Sequence, residues 1–229
     1  MSPDTFKISY DFLFPDKTSK SYVFDIDKNT LALVESTTEQ PPEWAKLENK
    51  KCEHCPLKEA ESPYCPVARN IAHLVETFKE KVSYTEVAIK VTTKERTYVK
   101  TLPLQEGIFS VFGLVMATSL CPYTNFLKPM ARFHLPFSTS EETIVRSISM
   151  YLLKQYFVAK RGGQPDLELE LLEKNYADIQ KVNLGILARI RGIAQGDADA
   201  NAITILHSFS SLLTMAISKD LSKIEPLFK

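Results

Sequence analysis

Four cysteines stand in this 229-residue chain, and three of them fall inside one stretch, "KKCEHCPLKEAESPYCPVARN" at 50–70. The spacing Cys52-x2-Cys55-x9-Cys65 lets three sulfurs reach one point, because a two-residue gap forms a knuckle and a nine-residue loop can fold back on it. Cys121 is the remaining candidate for a fourth ligand. Zinc suits four thiolates, taking them in a closed tetrahedral shell without redox chemistry. Cys55, Cys65 and Cys121 each precede a proline, a pairing also found at iron–sulfur clusters. The pattern therefore predicts a structural four-cysteine zinc site first, with an iron–sulfur site and unligated buried thiols as equal alternatives. His54, inside the knuckle, and His134, in "RFHLPF", could each replace a thiolate, although a packed or solvated imidazole is the commoner fate.

The elements that must hold these residues can be read from periodicity. Phe6, Ile8, Tyr10, Phe12 and Phe14 alternate with mostly polar neighbours, the period of a half-buried strand. "PDKTSK" turns the chain, and Tyr22, Phe24 and Ile26 resume the alternation. After a second turn at "DKNT", "LALVES" reads as a third strand of an antiparallel meander. Beyond Pro41-Pro42 and the cysteine loop, Val67, Ile71, Leu74, Val75 and Phe78 recur at helical spacing. Val87, Ile89 and Val91, a turn near "TKER", then Tyr98 and Val99 predict a second hairpin.

From residue 104 the signal is helical. Gly107 and Gly113 weaken that helix, so their expected role is close packing. Ser138 and Glu141 have capping-box spacing ahead of a helix over 140–160, and "RGGQPD" at 161–166 is the best hinge candidate. Leu172, Tyr176, Ile179, Asn183, Ile186, Ile190 and Ile193 form a heptad-like line that Asn183 interrupts. The last helix carries Ile203, Leu206, Phe209, Leu213 and Ile217, with Asp199 as its expected N-cap. Helices 167–194 and 199–225 should pair antiparallel within the chain, with a homodimer through them left open. The expected fold is α+β in a single domain, 1–229: a sheet-rich part, 1–103, with the cysteine loop at 41–66, then a helical layer or bundle over 104–229.

Composition excludes some roles. Lys plus Arg equals Asp plus Glu at 28 each, so no global field draws the chain to nucleic acid or an anionic membrane. Lys90, Lys94, Arg96 and Lys100 with Tyr84 and Tyr98 make the best local patch, but an ordinary solvated sheet face explains them as well. No basic segment leads into an apolar run at the N-terminus, and "GIFSVFGLVMATSL" at 107–120 is too short to span a bilayer. The expectation is a cytoplasmic, reducing setting, where clustered cysteines favour metal over disulfides. Dinucleotide, Walker, zincin and nucleophile-elbow signatures are missing, and the deaminase pattern fails because Lys51 precedes Cys52. Arg132 and His134 beside a helix start could hold an anion. Alternation instead puts Phe133, Leu135 and Phe137 inside and leaves Arg132 and His134 in solvent, the reading preferred here.

With "CEHCPL", "YCPVARN", "LQEGIFSVFGL", "CPYTNFLKPMARFHLPF" and "EETIVRSISMYLL" in view, the chain resembles an uncharacterised bacterial family known only as a domain of unknown function. The resemblance spans nearly the whole chain and implies a bacterial, cytoplasmic protein, with no activity, ligand or catalytic residue to carry over. The expected function is a non-enzymatic binding or regulatory module that meets a protein partner through the helical surface or the sheet edge. An iron–sulfur redox or sensor protein comes second, and an enzyme using a catalytic metal or an anion site near His134 comes last.

Overall fold

The structure, a computed structural model, describes residues 4–34, 40–193, 195–219 and 221–229. Strands β1 (Thr5–Leu13) and β2 (Ser19–Asp27) form the first hairpin, and β3 (Glu86–Thr92) and β4 (Thr97–Pro103) the second. The two hairpins join edge to edge in the order β2-β1-β3-β4, antiparallel throughout. Tyr10 stands opposite both Tyr22 and Val91, so one register carries the alternating apolar residues of the three strands to the same face. Ile8, Tyr10, Phe12, Phe24, Ile26, Val87, Ile89 and Val91 are buried there as the alternation requires.

The meander is corrected at its third strand. Leu33 makes only an isolated bridge to Ile26, and the end of "LALVES" lies outside the described residues. The Asp27 carboxylate accepts the N–H groups of Asn29 and Thr30, and Leu31 turns into the left-handed region at φ 54°, which ends the extended run. The chain instead leaves the sheet through the cysteine loop and α1 (Pro66–Phe78) before returning as β3.

α1 and α2 (Leu104–Ala117) cover the apolar sheet face. The Phe78 ring lies 5.2 Å from that of Phe12. A Cβ on Gly107 would sit 2.0 Å from Ile89 Cδ1 and 3.1 Å from Phe12 Cε1, so a larger residue there would have to displace the Ile89 side chain from between α2 and β3. Gly113 is a different case, since its Cβ would meet Leu206 Cδ2 at an ordinary 3.8 Å. Gly113→Ala should therefore recover helix propensity, about 1 kcal/mol, and raise the melting temperature by about 2–4 °C in a calorimetric scan. A lower melting temperature would mean that the space beside Gly113 is needed.

The helical layer continues with α3 (Lys128–Arg132), α4 (Ser140–Lys160), α5 (Glu170–Arg191) and α6 (Ala198–Lys219). The capping box that starts α4 is Thr139 with Glu142, one residue beyond the predicted pair: Glu142 N–H donates to Thr139 Oγ1 at 3.2 Å, and Thr139 N–H to Glu142 Oε2 at 2.8 Å. The hinge candidate is tied at its end, where Tyr151 donates to Asp166 Oδ2 at 2.6 Å. Gln180 reaches Thr214 and Asn183 reaches Ser210, so α5 and α6 run antiparallel. The heptad-like line of α5 packs inside the chain, with Leu172, Tyr176, Ile179, Asn183, Ile186 and Ile190 buried. A homodimer through these helices would have to use other positions, such as the exposed Leu171, Leu184, Leu212 and Met215.

Asp199 does not cap α6. Asp197 stands before the helix and accepts from Ser83 N–H at 2.7 Å and Ser83 Oγ at 2.9 Å. Asp199 lies inside the first turn, 1% exposed, and neither carboxylate oxygen has a hydrogen-bond donor. Burial pushes its pKa up to about 8. Over Ala198–Ser218, α6 is long and apolar enough to cross a membrane by length and composition, at a mean hydropathy of 1.4. In this fold it packs against α2 and α5.

Candidate functional site

The cysteine loop is fastened strand by strand. Lys46 and Tyr64 form an antiparallel bridge; Cys65 N–H donates to Ala45 O at 2.8 Å, and Leu47 N–H to Pro63 O at 2.9 Å. Cys65 thereby sits where α1 begins, with Pro66 in the first turn. Cys55 N–H donates back to Cys52 O at 3.0 Å, closing the knuckle. Cys121, 56 positions after Cys65 in the chain, follows α2 in a turn where Thr124 N–H and Oγ1 donate to Cys121 O at 3.0 and 3.1 Å. Two residues on, Tyr123 donates its hydroxyl to His54 O at 2.5 Å, and its ring lies 4.0 Å from the imidazole. That contact joins the segment carrying Cys121 to the knuckle carrying Cys52 and Cys55.

α5 supplies the floor. A Cβ on Gly185 would stand 2.7 Å from Cys52 Sγ, so the thiol occupies space that any other residue would fill. One turn further, Arg189 is 3% exposed and bonds the loop directly: Nη1 to Trp44 O and Lys46 O at 2.8 and 2.7 Å, Nη2 to Leu47 O at 2.9 Å. Among the described residues no carboxylate forms an ion pair with it. Neither Gly185, Arg189 nor Tyr123 was singled out from the sequence. Arg189 lies three residues after the buried Ile186, so its place on the inner face of α5 was readable from helical spacing.

Burial pushes the Cys52 thiol up to about 11; the charges of Cys65 and Cys55 add to that rise, and Arg189 opposes it. Burial likewise pushes Cys121 up to about 12, with Cys65 and Cys52 contributing. Each of these thiols thus feels its neighbours across the loop, and all four cysteines are free of disulfides. Protonated, buried thiols are poor nucleophiles. Among the described residues no group of three His, Cys, Asp or Glu side chains stands close enough to hold a metal ion as the chain lies. His54 is packed rather than solvated: Nε2 is 3.9 Å from Asp178 Oδ1, and neither ring nitrogen has a hydrogen-bond partner.

The second candidate reverses its expectation. Phe133 is 65% exposed, while His134 turns inward and its Nε2 meets Tyr10 Oη at 2.5 Å. The alternation argument holds only for a strand, and this segment is instead the end of helix α3 and a turn with Phe137 at φ 60°. Arg132 stacks over the Phe6 ring at 4.6 Å, and Arg146 Nη2 donates to Met130 O and Phe133 O at 3.2 and 2.9 Å. Burial pushes His134 down to about 3, which keeps the imidazole neutral at ordinary pH. On the outer hairpin, Lys90, Lys94, Arg96 and Lys100 are exposed, with Lys100 on the edge strand β4.

A family model described as a domain of unknown function matches residues 8–229. No curated protein and no solved structure matches the chain.

Proposed function

We propose that this chain, which belongs to the DUF6901 family, is a non-enzymatic binding or regulatory module locked by a structural zinc on Cys52, Cys55, Cys65 and Cys121. The observation that carries the reading is the tie from Tyr123 to His54, which brings Cys121 to the knuckle across 69 positions of sequence. A tetrahedral zinc needs its sulfurs at about 2.3 Å, so the thiols would close inward from their present separation. Metal binding would then deprotonate them, reversing the effect of burial. Four thiolates around zinc carry a net charge of −2, and Arg189, a buried cation with no carboxylate partner, is placed to offset part of it. The high thiol pKa values support a structural role over a nucleophilic one. A reducing, cytoplasmic setting and a protein partner on the helical surface or sheet edge complete the reading.

Elemental analysis with an absorption spectrum, on protein purified without oxygen, tests it. One zinc per chain and no colour is the expected result, with zinc lost from Cys121→Ser. Brown protein containing iron and labile sulfide would move the chain to the redox or sensor reading favoured by the three Cys-Pro pairs. Protein with neither metal would sink both, and full zinc in Cys121→Ser would rule out the four-thiolate shell.

A further inference from the structure

Inside the helical layer, between α2, α3, α4, α5 and α6, lies a cavity of about 140 Å³. Phe109, Leu127, Met130, Leu206, Phe209 and Leu213 form most of its apolar wall. An apolar space of about this size holds one ring, as benzene is held in a comparable engineered cavity. The wall favours a ring over a chain: Phe109 and Phe209 lie 4.9 Å apart, and a flat occupant can stack on either face or on the Met130 thioether.

One polar group among the lining residues is left incomplete. Asn183 is 1% exposed and gives Nδ2 to Ser210 Oγ at 3.4 Å, while its Oδ1 accepts from nothing. Ser210 cannot supply the proton, because its hydroxyl already donates to His207 O at 2.7 Å. A buried carbonyl oxygen without a donor is costly, so whatever fills the cavity is best bound if it brings an O–H or N–H. No carboxylate lines the space to attract a cation. The lining cation, Arg146, spends Nη2 on the carbonyls of Met130 and Phe133, and His134 is held on Tyr10.

We propose that the cavity binds a small uncharged ring compound of the phenol or indole class, its single O–H or N–H donating to Asn183 Oδ1. This deepens the binding-module reading by naming a ligand class and does not involve the cysteine clasp, so zinc content and ring binding can fail separately. The experiment is titration calorimetry of the full chain, as purified, against phenol, toluene and benzoate. Phenol should bind at one saturable site at least about tenfold tighter than toluene, because toluene leaves the acceptor unpaired. Asn183→Leu should make phenol and toluene equal, and Gly113→Leu, grown from the cavity wall, should abolish both. Equal affinities in the unmodified chain, benzoate as the tightest ligand, no binding by any of the three, or binding that survives Gly113→Leu would each overturn the proposal.

Discussion

Asp199→Asn should remove a steep loss of stability that the unmodified chain suffers between pH 4 and pH 8. An unfolded aspartate titrates near pH 3.9, whereas burial in the first turn of α6 pushes Asp199 up to about 8. The folded state therefore holds a proton that the unfolded state has released. Its contribution is fully present below the unfolded value and is lost as pH rises through the folded one. Tyr22 on β2 is the titratable group that senses this carboxyl, with the Thr77 side chain beside its hydroxyl; His73 on α1 faces the Tyr22 ring at 5.6 Å. Among the described residues no cation offsets the charge, and burial is the cause of the shift. Unfolding free energies of the two proteins, from urea titration, should lie close together at pH 4 and diverge by several kcal/mol by pH 8, with the Asn variant the more stable. Parallel curves would show that Asp199 finds a partner or water in solution.

Arg189→Leu should be as damaging as Asp199→Asn is helpful. The guanidinium is the point at which α5 grips the loop through three carbonyls, Trp44 O, Lys46 O and Leu47 O. Removing it leaves Trp44 O and Leu47 O unpaired, while Lys46 O keeps the Asn49 N–H at 3.2 Å, a loss of about 2–5 kcal/mol at about 1–3 kcal/mol for each orphaned group. Leucine relieves the burial of an unpaired cation, which works in the opposite direction. With three bonds lost against one charge removed, destabilisation should win. Arg189→Lys should fall between, because an ammonium cannot reproduce the planar fork. Urea unfolding gives the magnitude, and limited proteolysis should show new cleavage inside 48–62 in the leucine variant. A change below about 1 kcal/mol would mean that the loop holds itself.

How much of this was legible follows from which physics is local. The strands and α1 were readable because each residue's burial depends on period alone, and Tyr10, Phe12, Val67 and Phe78 obey it. The pairing order was not, since β1 chooses β3 as its second neighbour only after 58 intervening residues have left and returned. At 131–137 the same periodic rule misled: Phe133 and His134 exchanged places because one turn of helix replaced the assumed strand. The cysteine spacing marked Cys52, Cys55, Cys65 and Cys121, but the side chains that bring them near one another come from elsewhere. Tyr123, Gly185 and Arg189 act through contacts 69 to 145 positions long, where no local pattern can announce them. Asn183 was visible as a break in an apolar line; that its Oδ1 would lack a donor required the neighbouring turn of α6.

The reach of Arg189 also has a bearing on how the chain is made. Leu47 leaves the ribosome 142 residues before the guanidinium that will hold its carbonyl. At about 5–20 residues per second, that gap lasts roughly 7 to 30 s. Both hairpins and α1 are complete in that interval, while the knuckle between them waits without its floor. Its thiols are most open during synthesis, so the first ion or oxidant they encounter reaches them before the fold can select.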